Sequence, residues 1–166
     1  MSVNRSSHKI DAKTEGTLPV YYFAYGSNMD WAQMQRRCPS SKFVCVAHLP
    51  DYKFAIARHS RLRQCGTANI FAETGSEVWG IVYDVVDQDL VTLDSFEDGY
   101  RREKLLVHSS VDTKNPFEVI VYIAEKEDRV PLPNSEYKKL IIQGARHWQI
   151  PEAYCLMLEQ IQATSE

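Results

Sequence analysis

The sequence predicts an α+β protein: a small, mixed, mainly antiparallel β-sheet or β-barrel with flanking helices. Three observations lead there. Between residues 20 and 124, apolar, β-branched and aromatic runs are bounded by turn residues, which is the mark of strands. Helical spacing is confined to a short stretch near residue 30, about ten residues from Asp87, and the C-terminal segment. No internal repeat or shift in composition divides the chain, and its 166 residues suit one domain with a real core. The expected organisation is a leader over residues 1–19 and a single domain over 20–166.

The elements follow in order. An aromatic strand stops at Tyr25 and turns through Gly26-Ser27-Asn28. Met29 to Arg37 forms a short helix that ends before Pro39, because the residue ahead of a proline avoids helical geometry. Lys42–Leu49 and Tyr52–Ala57 read as strands, and Arg58–Gly66 as a basic loop carrying Arg58, Arg61 and Arg63. Ala68–Ala72 and Glu77–Val85 are strands joined by a turn at Thr74-Gly75-Ser76. Asp87 caps a helix that contains Leu90, Leu93, Asp94, Phe96 and Glu97 and ends at Asp98-Gly99. Glu103–Val111 and Phe117–Ala124 form a hairpin across Thr113-Lys114-Asn115-Pro116. After the Pro-rich stretch Val130–Asn134, a helix runs from Ser135 to about Trp148. Pro151 then opens a last helix.

Composition excludes several classes. A net charge of −3 gives no reason to expect nucleic acid or an anionic membrane as a partner, and no apolar stretch reaches the length of a membrane span. The first nineteen residues are polar, contain Asp11 and Glu15 and lack an apolar core, so they read as a disordered leader rather than a signal peptide. Cys38, Cys45, Cys65 and Cys155 form no CxxC pair and read as reduced thiols of a cytoplasmic protein. His8, His48, His59, His108 and His147 form no metal-binding pattern, so no metal is expected.

Two places can carry chemistry. In the corner Tyr25-Gly26-Ser27-Asn28, Ser27 and Asn28 are good N-cap residues, and Ser27 with Asp30 fits a capping box. The corner is either an ordinary strand-to-helix connection or a place where a small anion rests on free amides. Leu90, Leu93 and Glu97 share one helical face, which sets a carboxylate on an apolar stripe. Either it is desolvated, with a raised pKa, or it swings into water. Asp94 reads as a local hydrogen-bonding clamp. Ser27 lacks the G-x-S-x-G elbow of a nucleophile, and the thiols show no activating partner. The basic loop either touches an anionic substrate or is solvated. Tyr137 lies on a core-facing helical stripe, where its hydroxyl needs a partner or a pocket.

Three segments together resemble the γ-glutamylcyclotransferase family: Tyr22-Phe23-Ala24-Tyr25-Gly26-Ser27-Asn28-Met29, Glu77-Val78-Trp79-Gly80-Ile81-Val82-Tyr83 and Leu93-Asp94-Ser95-Phe96-Glu97. Ser135-Glu136-Tyr137-Lys138-Lys139-Leu140-Ile141, with Gly144-Ala145 and Ile150-Pro151 after it, is similar too. The likeness spans about residues 20–160, in the family's order. It implies a small barrel-like fold whose open end holds a γ-glutamyl substrate, cyclised to 5-oxoproline without a cofactor as an amine or amino acid leaves. It also implies Glu97 as the proton-transferring residue, and substrate binding by Tyr22, Tyr25, Gly26, Ser27, Asn28 and Tyr137. The backbone amides of the corner would take the substrate's α-carboxylate. A cytoplasmic homodimer is compatible with the resemblance.

Two departures stand out. The family commonly has Glu-Gly where this chain has Glu97-Asp98, with glycine delayed to Gly99. Tyr100-Arg101-Arg102 resembles the γ-glutamylamine and AIG-like branch, whereas the Tyr137-Lys138-Lys139 helix leans to the γ-glutamyl-dipeptide branch. The alternatives are a non-catalytic binder of a γ-glutamyl ligand, and a same-fold enzyme acting on a γ-glutamylated amine or biosynthetic intermediate.

Overall fold

The protein is described by a computed structural model covering residues 19–165. The expected leader, Pro19 apart, lies outside the described residues. Five strands close into a barrel in the order β1-β3-β2-β4-β5. They are β1 (Val20–Ala24), β2 (Lys42–Ser60), β3 (Cys65–Val85), β4 (Tyr100–Ser109) and β5 (Phe117–Ala124). Every pairing is antiparallel except β1 with β5, which is parallel and closes the ring at Tyr22↔Ile120. Around the barrel pack α1 (Trp31–Arg37), α2 (Asp87–Phe96), α3 (Ser135–His147) and α4 (Glu152–Glu159). Phe23, Ile70, Ile81, Tyr83, Leu93 and Leu158 are among the largest fully buried side chains. Among the described residues no helix is long and apolar enough to cross a membrane.

The two expected strand pairs within 42–57 and 68–85 are instead two long bent strands. The register passes from Pro50↔Glu77 to Tyr52↔Ala72, so residues 73–76 bulge out opposite Asp51. Asp51 takes a positive φ, and its carboxylate accepts the Gly75 N–H at 2.9 Å. The local turn signals were real, but pairing continues on both sides of them. For the same reason the basic loop shrinks: Arg58–Ser60 and Cys65–Gly66 lie in the ladder, leaving residues 61–64 as the turn. The fourth strand starts earlier than expected, at Tyr100, and ends at Ser109 rather than Val111.

The corner differs from the expected single helix start. Ser27–Met29 forms a 3-10 turn, and Asp30 rather than Ser27 caps α1, its carboxylate accepting from Gln33 N at 2.9 Å. At the next helix, Val86 holds the N-cap position expected of Asp87, and the Asp89 carboxylate accepts the Val86 N–H at 3.1 Å.

The 3-10 turn is held by side chains from β3 and from the end of α3. The Tyr83 hydroxyl donates to Asn28 O at 2.7 Å, and Trp148 Nε1 donates to Met29 O at 3.0 Å. At Gly144 the α3 backbone touches the turn itself: a Cβ there would lie 2.3 Å from the Met29 carbonyl carbon and 2.6 Å from Asp30 N. Helix propensity alone makes Gly144→Ala stabilising by about 1 kcal/mol. The contact should reverse that sign, giving a loss of about 1–3 kcal/mol by urea unfolding.

Candidate active site

One end of the barrel opens into a cleft of about 550 Å³, measured out to its mouth. Tyr22, Tyr25, Gly26, Ser27, Asn28, Glu97 and Tyr137, the residues singled out above, all line it. They come from three parts of the fold: β1 and its corner, the residue closing α2, and the first turn of α3.

Glu97 is the C-cap of α2, one step past the last helical residue, with its N–H donated to Asp94 O at 3.2 Å. It keeps some surface at the cleft mouth, yet protein crowds the carboxyl on the other sides. Burial pushes its pKa up to about 7, against the opposing pull of Arg37 and Arg63. Asp94, three residues earlier, goes the other way. Arg102 grips it through Nε at 2.9 Å and Nη2 at 2.5 Å, and the Tyr122 hydroxyl donates to it at 2.7 Å. The Arg102 bonds hold its carboxyl below the usual range. It is the clamp expected of it, here between α2, β4 and β5.

The corner is organised by Gln33, which is buried. Its Nε2 donates to Ser27 Oγ at 2.8 Å and to Asn28 Oδ1 at 2.9 Å, while its Oε1 accepts from Arg63 Nη2 at 2.8 Å. Arg37 Nη1 donates to Asn28 Oδ1 at 3.1 Å, and Arg63 Nη2 reaches Ser27 Oγ at 3.3 Å. Both guanidiniums lie over rings, Arg37 4.1 Å from the Phe96 centroid and Arg63 4.9 Å from that of Tyr137. Ser27 Oγ thus accepts hydrogen bonds from Gln33 and Arg63.

The phenols complete the wall. Tyr25 donates to Tyr122 O at 2.5 Å, and Tyr100 donates to Ala68 O at 2.6 Å. Tyr22 accepts from Asn28 Nδ2 at 3.0 Å, and Tyr137 accepts the Ala68 N–H at 2.9 Å. Burial raises all four above the ordinary phenol value. Burial likewise raises the thiols of Cys38, Cys45 and Cys155, with Cys38 pushed up to about 11. No cluster of His, Cys, Asp and Glu suited to a metal occurs among the described residues.

Sequence reasoning missed Gln33, Arg37, Tyr100 and Tyr122, and saw Arg63 only as part of a basic loop. Gln33 and Arg37, four residues apart, lie on one side of α1, and that spacing was the available signal.

Comparison with known proteins bears directly on this arrangement. The family model described as Gamma-glutamyl cyclotransferase, AIG2-like, matches residues 22–144. The chain belongs to that family. It is 33% identical over 147 residues to the gamma-glutamylcyclotransferase of Homo sapiens, a match covering 85% of this chain and 78% of that protein. The Mus musculus gamma-glutamylcyclotransferase is 32% identical with the same coverage. A solved structure of a gamma-glutamyl cyclotransferase superposes with a TM-score of 0.82 at 29% identity, over 90% of this chain and 91% of that one.

The raised carboxyl also carries a stability signature. The ordinary Glu value is 4.5 and the folded value about 7, so between these pH values the native state keeps a proton that the unfolded chain has lost. Stability therefore falls as pH rises from about 4.5 to 7, and the deficit persists above. Glu97→Gln should remove it, gaining about 1–3 kcal/mol over the parent at pH 8 and less at pH 5 in urea unfolding.

Proposed function

We propose that the chain is a γ-glutamylcyclotransferase that turns the γ-glutamyl group of a small substrate into 5-oxoproline. The observation that carries this reading is Glu97, raised to about 7 in the same cleft as the Tyr25–Asn28 corner, in a chain of this family. In the 3-10 turn, Met29 and Asp30 donate back to Gly26 O and Ser27 O at 3.1 and 3.0 Å. The amides of Ser27 and Asn28 precede that first bonded turn and are the ones left for the substrate's α-carboxylate. Arg37 and Arg63 add positive charge beside it.

With the carboxylate held there, the substrate α-amine faces Glu97. It begins as an ammonium with a pKa of about 7.7–8.0. An ordinary Glu makes proton removal uphill by roughly 3.5 pH units, about 5 kcal/mol. A Glu97 near 7 leaves about one unit, close to 1.4 kcal/mol. The freed amine attacks the γ-carbonyl, forming the ring C–N bond, and the amide bond to the leaving nitrogen breaks. The proton on Glu97 passes to that nitrogen, and the ring nitrogen's second proton passes to the restored Glu97 carboxylate and from there to the departing amine or to water. Positioning supplies about 7–11 kcal/mol in well-oriented intramolecular reactions, so no cofactor is required by this chemistry.

Two guanidiniums against one carboxylate favour a leaving group that carries its own carboxylate, an amino acid rather than a simple amine. The reading includes a cytoplasmic location, which suits four free thiols, and a homodimer, which light scattering checks.

The test is a panel of γ-glutamyl dipeptides, glutathione and γ-glutamyl-ε-lysine, each scored for 5-oxoproline. Release is expected to be strongest from a γ-glutamyl amino acid and to rise with pH through about 7 in kcat/KM. A folded Glu97→Gln variant should lose at least about 100-fold in kcat. Near-parental turnover by that variant would exclude Glu97 as the base. No release from any substrate would favour the binding protein or an unusual γ-glutamylated intermediate.

A further inference from the structure

Glu97 opens a four-residue turn. Tyr100 N donates to Glu97 O at 3.0 Å, and Gly99, the third residue, has φ +81°, the geometry of a type II turn. In such a turn the direction of the central peptide's carbonyl is what distinguishes type II from type I. Here that carbonyl is Asp98 O, and Arg58 Nη2 donates to it at 3.2 Å. The guanidinium also needs Gly99: a Cβ there would lie 1.9 Å from Arg58 Nη2 and 2.4 Å from Cζ. The other arm of the fork is fixed. Nη1 donates to Glu127 Oε1 at 3.0 Å, and Glu127 Oε2 accepts the His59 N–H at 2.9 Å. Glu127 N in turn donates to Ala57 O at 3.2 Å. The side chain of Arg58 is only 18% exposed, so this is a packed joint between β2, the turn after α2 and the connector after β5.

We propose that Arg58 is a positioning residue for Glu97, locking the Glu97–Tyr100 turn through the Asp98 carbonyl so that the carboxyl stays in the cleft. This rests on the reading of Glu97 as the base. It also gives a physical role to the glycine that this chain carries at position 99: only a residue without Cβ lets the guanidinium lie across the turn.

Two explanations of any effect of Arg58 differ in sign. If Arg58 acted as a nearby cation, removing it would raise the Glu97 pKa and move the ascending limb of the pH profile to higher pH. If it acts as a lock, its loss frees the segment that carries Glu97 and lets the carboxyl reach water, and the limb moves to lower pH. The groups facing Glu97 stay in place in either case. They are Arg37 from α1, Arg63 from the β2–β3 turn, Asp94 from α2 and the phenols of Tyr22, Tyr25, Tyr100 and Tyr137.

The experiment is kcat/KM for 5-oxoproline release against pH, with thermal unfolding alongside, for Arg58→Met, Arg58→Lys and Asp98→Asn. Arg58→Met keeps the packed stem, and Arg58→Lys keeps the charge and the Glu127 pair but loses the fork. Both should move the ascending limb to lower pH by about one unit and lower kcat at least about tenfold, with KM changed less. Asp98→Asn should leave the limb in place, since only the backbone carbonyl is used. A limb that stays put in both Arg58 variants, or moves to higher pH, overturns the lock. If Arg58→Met does not fold, Arg58→Lys decides by the same criterion. If the parent releases no 5-oxoproline, or Glu97→Gln keeps full activity, the underlying reading fails instead, and the two failures are told apart.

Discussion

The site depends on a carboxylate that shares a cleft with two guanidiniums and pairs with neither. Arg37 and Arg63 are held by neutral acceptors, Asn28 Oδ1, Ser27 Oγ and Gln33 Oε1, and their flat faces lie on Phe96 and Tyr137. Their charge reaches Glu97 only from a distance, so desolvation prevails and the carboxyl rises to about 7. Asp94 shows the other outcome in the same helix. Gripped through two nitrogens of Arg102, it falls below its ordinary value. Two carboxylates three residues apart thus titrate in opposite directions because one has a forked partner and the other has its potential partners occupied.

Those occupied partners make the corner more than a loop end. Its side chains feed the Gln33 hub and the two arginines. The Asn28 and Met29 carbonyls are taken by Tyr83 and Trp148, and its backbone rests on Gly144. Each backbone carbonyl from Gly26 to Met29 accepts a hydrogen bond. The helix that contributes Gly144 also contributes Tyr137 to the cleft wall. A shift of α3 would disturb the corner and the cleft wall together.

What could be read from the sequence was whatever short-range spacing decides. Leu90, Leu93 and Glu97 at i, i+3 and i+7 put the carboxyl over the core because a helix surface is set locally, and the structure ends that helix one residue before Glu97. The aromatic first strand and its Gly-Ser-Asn corner were equally local. Long-range pairing was out of reach. Thr74-Gly75-Ser76 carries strong turn chemistry, yet β2 and β3 pair on both sides of it, so it became a bulge facing Asp51. Ser27 satisfied the capping-box pattern, but a 3-10 turn moved the helix start to Asp30. The polar ring is the extreme case: Arg63 meets Ser27 across thirty-six positions, and no periodicity relates them.

The cleft is lined with groups that could in principle exchange protons, and its arrangement leaves one that does so near neutral pH. The four phenols facing Glu97 are pushed above their ordinary range by burial, so they remain neutral donors and acceptors. Burial and Arg63 lower Arg37, but a guanidinium starts so high that it stays charged in any physiological range. Ser27, engaged as an acceptor, has no base beside it. Among the residues lining the cleft, Glu97 is therefore the group whose protonation changes near neutral pH. The apolar and aromatic packing around Glu97, which costs the fold stability above pH 7, is what brings its titration there. The same desolvation that weakens the folded state fits the carboxyl to take a proton and give it back.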